Sequence, residues 1–135
     1  MKIVIDTNLV VSAIFFGGMP EKLIDLLIDG RFDAYTNGVI IEEYDDTVEK
    51  LKKDYPDKTE RFALPDIISK MYQIDVTTEV HVCRDPDDDK FIGCAIDSKS
   101  KYIVSGDKDL LAVGKHKDVE IVTVGDFLRE NFPEE

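Results

Sequence analysis

Short apolar runs alternate along the chain with longer stretches in which apolar residues recur every three or four positions. Ile3-Val4-Ile5 is a β-branched run that predicts a strand buried on both faces. Leu9 to Phe16 predicts a helix that Gly17-Gly18 ends. Pro20 suits a first helical position, and Leu23, Leu26 and Leu27 supply the apolar face of a second helix ending near Gly30. Phe32 to Thr36 predicts a second strand, and Asn37 a cap for a helix with the stripe Ile40, Ile41, Tyr44, Val48 and Leu51. Residues 56–72 predict one or two helices broken at Pro65, and Ile74 to Thr77 a third strand. Asp85 as cap, Pro86 at the first position and acids in the first turn open another helix. Its buried face is Phe91, Ile92, Ala95 and Ile96. Tyr102-Ile103-Val104 predicts a fourth strand, Glu120 to Val124 a fifth, and Phe127-Leu128 a last short helix.

Strands alternating with helices predict an α/β fold with a mainly parallel sheet covered on both faces. The length of 135 residues suits a single domain spanning 1–135. In such sheets ligands gather beyond the carboxyl ends of the strands. The residues standing there are acidic: Asp6 after the first strand and Asp107 after the fourth.

Charge first argues against a polyanionic partner. The chain carries 17 Lys and Arg against 29 Asp and Glu, a net charge of −12. Such a protein repels nucleic acid and anionic membranes at long range. Cys83 and Cys94 have no zinc spacing and read as free, buried thiols of a reducing compartment. Three apolar residues before Asp6 are too few for a signal-peptide core or a membrane span, so a cytoplasmic protein is expected.

Taken one at a time, each acid has an ordinary structural explanation. Asp6 and Asp107 stand where helix caps stand. Glu43 lies roughly 110° from the centre of its helix stripe, at the edge of the buried face, and Asp45 lies at about 90° on the other flank. Asp87, Asp88 and Asp89 suit the first turn of a helix. Asp88 falls where an acid reaches back to a capping Asp85, which leaves Asp89 without a local task; spacing does not separate the two. Thr7 and Asn8 add polar groups beside Asp6, and Asp109 follows Asp107 closely.

Taken together, the acids occupy two strand ends and two helix positions that face one sheet edge. Carboxylates that close repel and protonate unless cations neutralise them. No His or Cys accompanies them, so Mg²⁺ or Mn²⁺ is the expected ligand. Such a cluster supports metal-assisted phosphodiester cleavage, with one or two ions activating water and stabilising the leaving oxygen. His81 and His116 stand apart and are expected to be ordinary surface residues.

Four strings in order carry a family resemblance: Ile3-Val4-Ile5-Asp6-Thr7-Asn8, Glu43-Tyr44, Asp85-Pro86-Asp87-Asp88-Asp89-Lys90-Phe91, and Val104-Ser105-Gly106-Asp107-Lys108-Asp109-Leu110-Leu111. The sequence resembles a PIN domain. The last two strings resemble most the branch of toxin components of toxin–antitoxin pairs. The resemblance implies a three-layer fold with a five-stranded parallel sheet in order 3-2-1-4-5. It implies a metal-dependent ribonuclease leaving 5′-phosphate and 3′-hydroxyl ends. Carried over, the acid quartet is Asp6, Glu43, Asp89 and Asp107, with Asn8, Ser105 and Asp109 in support and Asp88 and Asp45 as the alternatives. Partners implied are RNA, an antitoxin protein and a second copy of the chain, with no membrane. A non-catalytic PIN-like interaction domain is the alternative. A phosphoacceptor receiver domain is a more distant one, because Thr77-Thr78 and Val124-Gly125 stand where its Asp and Lys belong.

Overall fold

A computed structural model describes residues 1–133. The order of elements is β1 (Lys2–Ile5), α1 (Thr7–Phe15), α2 (Gly18–Ile28), β2 (Asp33–Thr36), α3 (Gly38–Asp54), α4 (Leu64–Ile68) and β3 (Met71–Gln73). After a long connection come a 3₁₀ turn (Pro86–Asp88), α5 (Asp89–Ser98), β4 (Tyr102–Val104), α6 (Lys108–Val113), β5 (Lys115–His116), β6 (Val119–Val122) and α7 (Val124–Asn131).

The sheet has the order β3-β2-β1-β4-β6-β5. Its first five strands run parallel, as predicted, and β5 adds a sixth, antiparallel to β6. The expected five-stranded sheet is thus extended by a two-residue edge strand with no apolar signal, whose turn is made by Lys117 at φ 53°. Central β1 sits between β2 and β4, which separates this topology from the receiver order, where the first strand neighbours the third.

Ile3, Val4, Ile5 and Tyr102, Ile103, Val104 are buried, so helices cover both faces of the two central strands. Each fully buried aliphatic side chain there contributes about 1.5–3 kcal/mol by leaving water. α5 packs across β1, β2 and β4 through Phe91, Ile92 and Ala95, and α1 packs on α2 and α3.

Two elements differ from the sequence prediction. The third strand is Met71–Gln73 rather than Ile74–Thr77, because Met71 is the residue that pairs with Ala34 and reaches the core. Residues 74–85 run on as a strap: the Ile74 amide still donates to the Thr36 carbonyl at 3.0 Å, after which Val76 and Val80 pack on the core without a ladder. In residues 56–72 a single short helix forms. Pro65 lies in its first turn, where the missing N–H costs nothing, and so opens the helix instead of breaking it. Among the described residues no helix is long and apolar enough to cross a membrane.

Candidate metal centre

The parallel strands all end at one sheet edge, and register puts the key residues side by side. Ile5 pairs with Val104, so Asp6 and Ser105 leave the sheet together. The Asp6 amide donates to the Val104 carbonyl at 3.0 Å, and the Ser105 amide to that of Val122 at 2.9 Å.

Asp6 precedes α1 but makes no capping bond with its carboxylate. Its Oδ2 accepts instead from the Ser105 hydroxyl at 2.7 Å. The carboxyl is 4% exposed, and burial raises its pKa, helped by the charges of Asp107 and Glu43 and opposed by the Ser105 bond. Ser105 also accepts from the Asp107 amide at 2.9 Å, so one buried hydroxyl fixes both acids. Asp107 does cap its helix, Oδ1 accepting from Asp109 and Leu110 amides at 2.8 and 3.1 Å.

Glu43 is aimed by its neighbour. Tyr44 is fully buried and its hydroxyl donates to the Ile5 carbonyl at 2.5 Å, pinning α3 to the end of β1. Glu43 then meets Thr7, whose hydroxyl donates to Oε2, and Lys90, whose Nζ lies 2.9 Å from Oε1. Asp45 is exposed and lies on the α4 side of α3, beside Leu64 and Met71, away from the other acids. Asn8 is exposed on the first turn of α1.

Asp88 and Asp89 part company at the start of α5. Asp89 is 9% exposed and turns to the strap, its Oδ1 accepting from the amides of Val82 at 3.2 Å and Cys83 at 2.9 Å. Burial alone would raise its pKa; these N–H bonds outweigh burial and lower it. The local task that spacing does not reveal is this tie to a loop several residues upstream. Asp88 turns to the acids. Burial pushes its carboxyl up to about 7, with the charges of Asp107, Asp85 and Asp6 adding to the shift. Its Oδ2 is buried and has no hydrogen-bond partner. The Asp88 carboxylate does not reach the Asp85 amide, so the anticipated capping box does not form; the Asp88 amide donates to the Asp85 carbonyl at 3.0 Å, and the Asp85 side chain caps the turn by accepting from the Asp87 amide at 3.0 Å.

One carboxylate oxygen each from Asp85, Asp88 and Asp109 lie within 4.8 Å of one another. Arg84 forks onto Asp109, with Nε 2.9 Å from Oδ1 and the second nitrogen 3.3 Å from Oδ2. Asp85, Arg84 and Lys90 are thus site residues that the sequence analysis did not assign; the cue available was their position flanking the acidic run. The orphaned Asp88 oxygen, the raised carboxyls and an all-oxygen donor set fit a hard divalent cation. Cys83 and Cys94 are free, and burial pushes both thiols up to about 12, far from thiolate chemistry. Cys83 is half-buried rather than buried. Beside Lys90 opens a groove of about 500 Å³, walled by Val39, Ile74 and Val80 and by Asn37, Thr78 and His81.

A family profile described as the PIN domain matches residues 2–109. The chain is also 35% identical over 117 residues to "Uncharacterized protein MJ1680" of Methanocaldococcus jannaschii, covering 84% of this chain and 75% of that protein. No solved structure matches the chain.

Proposed function

The chain belongs to the PIN domain family, whose members are in general metal-dependent nucleases, and from that premise we propose that it is an Mg²⁺- or Mn²⁺-dependent endoribonuclease. The observation that carries the reading is the acidic cluster itself: carboxylate oxygens of Asp85, Asp88 and Asp109 lie within 4.8 Å of one another, Asp88 has a buried oxygen with no partner, and the charges of Asp107 and Asp6 bear on it. We assign Asp6, Asp88 and Asp107 as the metal ligands and Glu43 as the fourth acid. Asp88 thereby takes the place that family resemblance gives to Asp89. A divalent ion there would supply a water of lowered pKa and a positive charge for the leaving oxygen.

The chain's own residues do the rest. Ser105 fixes the spacing of Asp6 and Asp107 through its two hydrogen bonds. Asp109 and Asp85 complete the acidic rim and hold Arg84 at its mouth, where a guanidinium can meet a phosphate. Thr7 orients Glu43. Hydrolysis would leave 5′-phosphate and 3′-hydroxyl ends. A toxin role with a neutralising antitoxin rests on the likeness of residues 85–91 and 104–111 to that branch; a homodimer and a cytoplasmic setting accord with the family habit and the free thiols.

The test is cleavage of a mixed RNA substrate with and without Mn²⁺, wild type against Asp6→Asn. We expect metal-dependent cleavage that falls at least about 100-fold in the variant, with an unchanged circular dichroism spectrum. Full activity in Asp6→Asn would overturn the assignment.

A further inference from the structure

The four acids are not equivalent, and the difference lies in what already faces them. Asp88 presents a buried oxygen with no partner, and Asp6 meets the neutral hydroxyl of Ser105 and the Thr7 backbone but no cation. Glu43 is engaged on both oxygens, by Thr7 and by the ammonium of Lys90 at 2.9 Å. Lys90 is anchored a second time, its Nζ donating to the Asp87 carbonyl at 2.6 Å. Its side chain is only 18% exposed, although lysine is normally a solvated residue.

An ammonium has three N–H donors. Two are used, on Glu43 and on the Asp87 carbonyl, and one is left; the ammonium also lies over the Phe91 ring, 5.2 Å from its centroid. The ammonium is fixed at the junction between the acids and the groove walled by Asn37, Thr78 and His81. It is held in place by a carboxylate that belongs to the acid set.

We propose that Lys90 is the second cation of this centre: one divalent ion is shared by Asp6, Asp88 and Asp107, while the Lys90 ammonium, positioned by Glu43, donates its remaining N–H to a non-bridging oxygen of the scissile phosphate. Lys90 is then a catalytic residue that touches the substrate, and Glu43 a positioning residue rather than a metal ligand. The proposal rests on the metal-dependent reading above and adds to it a metal count and a role for each of two residues. Charge supports it. Lys90 reduces the negative charge of the four acids to three, and one divalent ion lowers it to one; Asp85 and Asp109 with Arg84 add one further negative charge at the rim.

The test is calorimetric titration of Mn²⁺ into the folded protein without RNA, together with steady-state cleavage. Wild type is expected to bind one Mn²⁺ per chain. Lys90→Gln frees Glu43, so Mn²⁺ affinity rises at least about threefold or a second ion binds, while kcat falls at least about 100-fold with a smaller change in KM. Lys90→Arg keeps a cation beside Glu43, retains the wild-type stoichiometry and recovers part of kcat. Two Mn²⁺ ions in wild type, unchanged affinity and stoichiometry in Lys90→Gln, or an unchanged kcat in Lys90→Gln would each overturn the proposal. If RNA is not cut at all, the ribonuclease reading falls, and the titration still decides whether Lys90 excludes a second ion from Glu43.

Discussion

Adjacent residues of identical chemistry, Asp88 and Asp89, do opposite things to the fold. Asp89 accepts two strap amides, so Asp89→Ala leaves two part-buried N–H groups without their partner, at a cost of about 1 kcal/mol. Asp88 has no such bonds and its folded pKa is raised, chiefly by burial, from 3.8 to about 7. The sign follows from linkage. When both folded and unfolded states hold the proton, at low pH, the group contributes nothing. As pH rises from 3.8 toward about 7 the unfolded chain loses its proton first, and the fold is progressively destabilised. Asp88→Asn should therefore raise the metal-free melting temperature at pH 8, by about 3 °C once solvent screening is allowed for, and change it little at pH 4. Asp89→Ala should lower it at pH 8. Differential scanning calorimetry in EDTA reads both, and a lower melting temperature for Asp88→Asn at pH 8 would mean that its carboxylate supports the fold.

At the scale of elements, α5 organises the centre by clasping the strap at both ends. Asp89 holds Val82 and Cys83; two turns later Asp97 accepts from the amides of Thr77 at 2.7 Å and Thr78 at 3.1 Å and from the Thr78 hydroxyl. Between them Gly93 lets the strap lie close, since a Cβ there would stand 3.2 Å from the Thr78 carbonyl oxygen. The strap ends in Arg84 and Asp85, so the clasps also set the rim of the acid site. Bonds from Thr78 and Thr77 hold the Asp97 carboxyl below its usual value, so this contribution is present above about pH 4 and is lost as pH falls further. Asp97→Ala should speed hydrogen exchange at the Thr77 and Thr78 amides about tenfold at pH 7 while leaving β1 and β4 amides protected, as mass spectrometry or NMR would show. Unchanged exchange would mean that packing of Val76 and Val80 alone holds the strap.

This same region marks where sequence reasoning stops. The strands β1, β2, β4 and β6 announce themselves because apolar β-branched runs must be buried. The strap alternates Ile74-Asp75-Val76-Thr77 as a strand would, because it too has one buried face; whether a ladder partner exists beside it is a tertiary fact. Spacing leaves the choice between Asp88 and Asp89 open for the same reason. Adjacent residues on a helical turn differ by about 100°, and which one meets the acids depends on where the strap and α6 come to rest. The place of Asp6 and Asp107 at the sheet edge is legible in the sequence because a strand end fixes it regardless of what surrounds them.

For the whole molecule, the charge of −12 first argues against RNA, and the structure relocates that argument without removing it. Part of the negative charge is the acid centre itself, which a cation neutralises. The rest remains. Of the lysines at residues 50–58, Lys52 is paired with Glu49 at 3.3 Å and stands 4.0 Å from Glu60, and Lys58 sits over the Phe16 ring. Lys99, Lys101 and Lys117 line a separate groove. Near the acids stand Arg84 and Lys90. With about two phosphate contacts on single-stranded RNA, log(kcat/KM) should fall with log[KCl] at a slope of about −1.4, at fixed Mn²⁺. Long-range repulsion between the anionic protein and RNA is itself screened by salt and works in the opposite direction, so the net slope should be shallower still at low ionic strength. A slope near −5 or steeper would require five or more released counterions, and so phosphate contacts well beyond Arg84 and Lys90. Substrate selection would then rest on the groove beside Lys90 and the centre's own geometry rather than on electrostatic capture.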